Sequence, residues 1–190
     1  SADEYPSILD AAGVQIDRDS RKATIKQLIE EASRELNAFS DLKDNLLDEL
    51  TDLVESPSLI TGRFAKSFLN LPAEVLSTVM CKHQRYIPLY VSNSSKDPLA
   101  LDAKKNILPS FLLISNGLSV ARDTIQRGNE RVLTARFADA EFFVKADLLV
   151  STTERCRKLS QVTFSDGLGT LLDRVSRIES LLMFGVQNLP

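Results

Sequence analysis

Tryptophan is absent from this 190-residue chain; histidine occurs once, at His83, and cysteine twice, at Cys81 and Cys156. One histidine and two dispersed cysteines cannot assemble a structural zinc set. The cysteines fit no Cys-x-x-Cys pattern, so free thiols in a reducing, intracellular compartment are expected. No apolar run approaches the ~20 residues of a membrane span, and no membrane partner is expected. The opening Ser1-Ala2-Asp3-Glu4-Tyr5-Pro6 lacks the basic start and apolar stretch of a secretory signal. No Gly-x-Ser-x-Gly elbow occurs, so any nucleophile–histidine arrangement would have to form around His83. The net charge of -3 gives no overall basic excess. That counts against a dedicated DNA-binding module and leaves room for a local basic patch.

What is present is a soluble globular composition, 43% hydrophobic and 26% charged, long enough to bury a core without disulfides. Residues 19–55 read as helical. Ile25, Leu28, Ile29, Ala32 and Leu36 recur at helical spacing after a cap at Asp19 or Ser20. Leu42, Leu46, Leu47, Leu50 and Val54 do so again, with Ser40 and Asp41 placed to cap. Together they predict a helical hairpin. Pro57 ends it.

Residues 59–64 read as a short strand in which Gly62 marks a bulge or a close approach. A helix is predicted over 72–82 with Pro72 at its first position. Strands over 85–91 and 109–115 form a candidate antiparallel pair across the loop-like stretch 92–105. Pro88 would lie at an edge or a bulge, and Phe111-Leu112-Leu113-Ile114 in a central strand. Helix signal returns at Arg122, is interrupted by Gly128, and resumes over 129–149. There Val132, Leu133, Phe137, Ala140, Phe143 and Leu148 trace one face. Ser151 caps a short helix. Val162-Thr163-Phe164 is extended, and Gly167 and Gly169 lead into a last helix. The expected class is α+β: a small, mostly antiparallel sheet flanked by helices, with helical segments at both ends. The expected domains are a helical segment over 1–56, an α+β domain over 57–165 and a C-terminal helix over 166–190.

Two polar clusters could carry chemistry. Lys82, His83, Gln84, Arg85 and Tyr86 fall between a helix and a strand. Their cations and amide suit phosphate or ribose oxygens, and Tyr86 could stack on a base. The residue types alone favour a plainer reading: a helix C-terminus rich in basic residues with a tyrosine packed beneath. Gly128-Asn129-Glu130-Arg131 could be a helix start, with Asn129 as cap and free amides for an anion. The plainer reading is a solvated helix face with internal ion pairs. Phe164 to Thr170 has two glycines before a helix. It lacks the third glycine of a dinucleotide fingerprint and the Gly-Lys-Ser/Thr ending of a phosphate loop, and reads as a turn with capping. Acidic pairs such as Asp41/Asp44 and Glu49/Asp52 read as solvated faces.

The same clusters carry a family likeness. Met80-Cys81-Lys82-His83-Gln84-Arg85-Tyr86-Ile87-Pro88 resembles the M-x-x-H-Q-R-Y-F-P segment of glycyl-tRNA synthetase beta subunits. Gly128-Asn129-Glu130-Arg131-Val132-Leu133 through Phe143 resembles their G-N-E-R-V-L-x-A-R-L-x-D-A-x-F-F. Gly62-Arg63-Phe64, Leu71-Pro72-Ala73-Glu74-Val75-Leu76, Ile114-Ser115-Asn116-Gly117 and Gly167-Leu168-Gly169-Thr170-Leu171 match further segments in family order. The likeness runs from about residue 50 to 182 and is looser over 1–49. Ser56-Pro57 stands where the family has a tryptophan before the proline, Ile87 stands for phenylalanine, and the loop at 92–106 is longer.

The resemblance implies an internal piece of such a beta subunit, similar to the editing-type domain of the phenylalanyl enzyme's beta subunit. In that family ATP, Mg and glycine are handled by the alpha subunit, or by the alpha part of a fused chain, and the beta subunit is needed for tRNA. The implied partners are tRNA(Gly) and the alpha subunit, in a heterotetramer or a fused chain. No cofactor and no catalytic or metal-ligating residue is expected in this piece. The implied tRNA-contacting candidates are Lys82, His83, Gln84, Arg85, Tyr86, Asn129 and Arg131. The likeness also leaves open a hydrolytic editing site using His83 and Asn129, or a spacer that docks the alpha subunit. The metal chemistry of the family's later HD-type domain is not implied, because no adjacent His-Asp pair occurs. The implied location is the bacterial cytoplasm or an organelle interior.

Overall fold

A computed structural model describes residues 5–91, 106–116 and 121–188. The predicted loop at 92–105 therefore lies outside the described residues. Contacts divide the chain into two units, residues 1–141 and 142–190.

The first unit opens with α1 (Tyr5–Ala11), α2 (Arg18–Glu35), β1 (Phe39–Ser40) and α3 (Asp44–Leu53). The helical hairpin is as expected, but its caps are not. Asp17, not Asp19 or Ser20, caps α2: its backbone is extended and its carboxylate accepts from the Ser20 amide at 2.7 Å. α3 starts at Asp44 after Lys43 with no side-chain cap, so Ser40 and Asp41 do not serve. Ser40 is instead part of β1, a strand too short to show a period.

Next come β2 (Pro57–Arg63), a 3-10 turn (Lys66–Asn70), α4 (Ala73–Thr78) and a π-helical turn (Val79–His83). β3 (Ile87–Tyr90), β4 (Ile107–Asn116) and the start of α5 (Arg122–Leu148) complete the unit. The sheet is antiparallel in the order β1-β3-β4-β2. The apolar β4 is central, as its composition required. β3 is internal too, yet it tolerates Pro88. The register shifts between Pro88 and Tyr90, and β1 pairs only with Leu89 and Tyr90, so the missing N–H of Pro88 leaves no ladder bond open on the β1 side.

Alternation along the strands builds two apolar layers. Ile87, Leu89 and Leu112 face the hairpin and join Ile25, Ile29, Ala32, Leu46, Leu47 and Leu50 in one buried cluster. Phe111 belongs to the opposite face, over which α5 packs. There Phe64 meets Phe137 edge-on at 5.0 Å, and Phe68 lies 5.4 Å from the same ring.

α5 corrects the sequence reading twice. Gly128 does not interrupt it; the helix runs unbroken from Arg122 to Leu148. A glycine inside a helix costs about 1 kcal/mol relative to alanine, which packing of Leu133 and Phe137 outweighs. The apolar face is also shorter than its period suggests. Leu133 and Phe137 are buried, while Val132, Phe143 and Leu148 are exposed.

In the second unit, α6 (Thr152–Lys158) is capped by Ser151, whose hydroxyl oxygen accepts from the Glu154 amide at 3.2 Å. A 3-10 turn (Leu159–Gln161) follows, then β5 (Thr163–Ser165) and β6 (Gly169–Thr170), which form a hairpin. Gly167 and Gly169 both have positive φ, 71° and 80°, so this turn requires them. α7 (Leu171–Asn188) then begins with a reciprocal cap. Asp173 Oδ2 accepts from the Thr170 amide and hydroxyl, and Thr170 Oγ1 accepts from the Asp173 amide. Those bonds from Thr170 hold the Asp173 carboxyl below its ordinary range. The reading of this segment as a turn with capping is borne out.

Candidate functional site

Three segments distant in sequence meet on the α5 face of the sheet: 62–64, 80–86 and 126–131. Gly62 lies opposite Phe111 in the β2–β4 register. A Cβ at Gly62 would stand 2.3 Å from the Phe111 ring, so the close approach expected there is real, and only glycine permits it. The Phe111 ring stacks on Tyr86 with centroids 4.7 Å apart. The Tyr86 hydroxyl donates to Asn129 Oδ1 at 2.5 Å. Asn129 Nδ2 donates to the Ile125 carbonyl at 2.7 Å, so both ends of that amide are engaged. Beside it, Glu130 Oε1 accepts from the Arg63 amide at 2.9 Å and from Gln126 Nε2 at 3.1 Å.

Asn129 is thus a mid-helix residue that back-bonds along α5 and receives a tyrosine proton. The helix start proposed at 128–131, with its free amides, does not exist. Glu130, read from sequence as part of a solvated face, is a clamp on the end of β2. No signal in the 128–131 segment alone could show this, because its partner amide lies 67 residues away.

The segment before β3 has an irregular backbone. The Tyr86 amide donates to the Met80 carbonyl at 2.8 Å across the π-helical turn. Arg85 takes a left-handed conformation, φ 58°, which a non-glycine residue adopts only when its surroundings hold it there. One such contact is visible: Arg85 Nε pairs with Glu49 Oε1 of α3 at 2.5 Å. Glu49 is therefore part of this site, though its helix-surface pattern gave no sign of it.

The seven sequence candidates separate into buried and exposed sets. Tyr86 is only 5% exposed and its ring is covered by Phe111, so it is not presented to a base. The structure matches the plainer reading, a tyrosine packed under a helix end. Burial raises the pKa of its hydroxyl, which stays protonated as the donor to Asn129. Lys82, His83 and Arg85 are exposed and Gln84 is half-buried. Arg131 is exposed as well, but two residues on from Asn129 it stands about 200° round the helix. It does not share the face that meets Tyr86. Burial pushes the Cys81 thiol up to about 11, so it is no thiolate nucleophile. Both cysteines are free. Among the described residues no three His, Cys, Asp or Glu side chains are grouped to hold a metal ion.

Removing only the tyrosine hydroxyl tests the joint. Tyr86→Phe leaves the stacked ring and strands Asn129 Oδ1. It is expected to lower the unfolding free energy by about 1–3 kcal/mol, read as a lower urea midpoint at unchanged slope.

The segments that meet here are those that carry the family likeness. A model of the glycyl-tRNA synthetase beta subunit family matches residues 1–188. The chain belongs to that family. The match takes in the N-terminal hairpin, where the motif likeness is loosest. Similar curated relatives are each described as a glycine–tRNA ligase beta subunit. One from Gloeothece citriformis is 41% identical over 177 residues, covering 93% of this chain and 24% of the relative. One from Acaryochloris marina is 37% identical over 186 residues, covering 98% and 25%. One from Pectobacterium carotovorum is 41% identical over 182 residues, covering 95% and 25%. The chain thus spans about a quarter of the length of these beta subunits. Among its described residues no helix is long and apolar enough to cross a membrane.

Proposed function

We propose that this chain is a non-catalytic, tRNA-contacting and scaffolding part of a glycine–tRNA ligase beta subunit. The observation that carries this reading is the use of the family motifs. Tyr86, Asn129, Glu130 and Gly62 fasten α5 to the sheet, and what they leave at the surface is the basic turn of Lys82, His83 and Arg85. That composition suits phosphate oxygens, which position a nucleic acid without reading its bases. The parent enzyme in this reading charges tRNA(Gly) with glycine, using ATP and Mg held by an alpha subunit, in a cytoplasm or an organelle interior.

An editing hydrolase is the less favoured reading. It would use His83 and Asn129, but both ends of the Asn129 amide are occupied. Among the described residues His83 has no nucleophile–base partner in hydrogen-bonding reach.

The test removes charge and keeps the stem. In the complete synthetase, Lys82→Gln is expected to weaken tRNA(Gly) binding; Arg85, which Glu49 already pairs, is left in place. Each lost phosphate contact should make the slope of log affinity against log salt shallower by about 1. Unchanged affinity and slope would remove this turn from the tRNA surface.

A further inference from the structure

The second unit, residues 142–190, buries no side chain among its described residues. Its longest helix, α7, carries an apolar stripe: Leu171, Val175, Ile178, Leu182 and Val186 recur at helical spacing. The start of the stripe is covered within the unit, where α7 meets the 3-10 turn and the β5–β6 hairpin, and Leu171 and Val175 are half-buried. After that the stripe continues uncovered. Ile178 is 45% exposed, Leu182 63% and Val186 75%, with Leu181 beside them at 71%.

Charge changes at the same point. Asp173, Arg174, Arg177 and Glu179 decorate the first half of α7, and Ser180 to Asn188 carries no charged residue on any side. A helix without a charged face is a buried helix, not a surface one. Isolated exposed apolar residues are ordinary, whereas a contiguous apolar surface on a soluble protein marks something that covers it. A polyanion such as tRNA does not fit a charge-free surface.

Curated relatives are about four times as long as the stretch this chain matches, so most of the polypeptide of such a subunit lies outside it. We propose that the Ser180–Asn188 half of α7 is sealed into a hydrophobic core by polypeptide of the same beta subunit that lies outside these 190 residues. The stripe is already an intramolecular seam over its first turns, and this occupant extends that seam. The proposal rests on family membership and not on the tRNA reading.

Hydroxyl-radical footprinting of the full-length beta subunit, alone and dilute enough to be monomeric, reads it directly. Leu182 should be labelled as weakly as the buried Leu133, and Leu182 and Met183 each several-fold below their own labelling in the 190-residue chain. Labelling as strong as in the 190-residue chain would overturn the proposal. So would protection that comes only on adding the alpha subunit, which would make the occupant that subunit. Protection that comes only with rising concentration and a doubled mass would overturn it in favour of a second copy.

Discussion

Replacing Gly62 with alanine is expected to destabilise this chain by about 1–3 kcal/mol, the usual range for forcing a methyl into a packed core. The cause is local and steric. The added Cβ would lie 2.3, 2.6 and 2.8 Å from three atoms of the Phe111 ring. The ring has little room to retreat, because its other contacts include the stacked Tyr86 ring, which is in turn tied to Asn129. Strain at Gly62 therefore reaches the joint between α5 and the sheet. Thermal unfolding would show a midpoint lowered by about 2–4 °C for each kcal/mol in a chain of this size. An unchanged midpoint would mean that the β2–β4 register at Gly62 is not as described.

Phe111→Ala should have the larger effect, about 3–5 kcal/mol, because the ring is fully buried and its loss opens a cavity. It removes the platform under Tyr86 as well as its own contacts. Chemical denaturation would report it. Combining the two changes gives a sharper result. With no ring to meet, the alanine at position 62 loses its clash, so the double variant should be more stable than the sum of the two losses allows. Strict additivity would show that Gly62 and Phe111 do not act through one another.

Much of this fold was legible because it rests on period and composition. The hairpin of α2 and α3 follows from leucine and isoleucine spacing, and β4 from an apolar run too short for a helix. What was hidden depended on contacts far apart in sequence. Asn129 next to a glycine has the chemistry of a helix cap, and only Tyr86, 43 residues away, turns it into a bonded mid-helix residue. The Arg85–Glu49 pair spans 36 residues and left no mark on either segment. Tyr86 shows the same limit from another side. An aromatic ring with a polar tip suits a base stack and a core equally well, and the Phe111 ring decides between them. The buried face of α5 is shorter than its spacing predicts, because helical period continues past Phe137 whereas burial does not.

Only part of the candidate site is legible in the sequence. Composition marks the basic residues of the turn at 82–85, but not the left-handed, ion-paired geometry of Arg85. The motif residues that looked most like chemistry hold the scaffold together. Those left exposed are the ones on which a tRNA role depends.

The central claim is that the family segments at 62–64, 80–86 and 126–131 form one load-sharing joint between α5 and the sheet. A double-mutant cycle on Tyr86→Phe and Asn129→Ala, followed by urea unfolding, tests it most directly. A joint of this kind predicts a coupling of about 1 kcal/mol or more, within the usual range for residues in one hydrogen-bond network. Additivity to within about 0.3–0.5 kcal/mol would contradict it, because two residues that do not touch behave in that way.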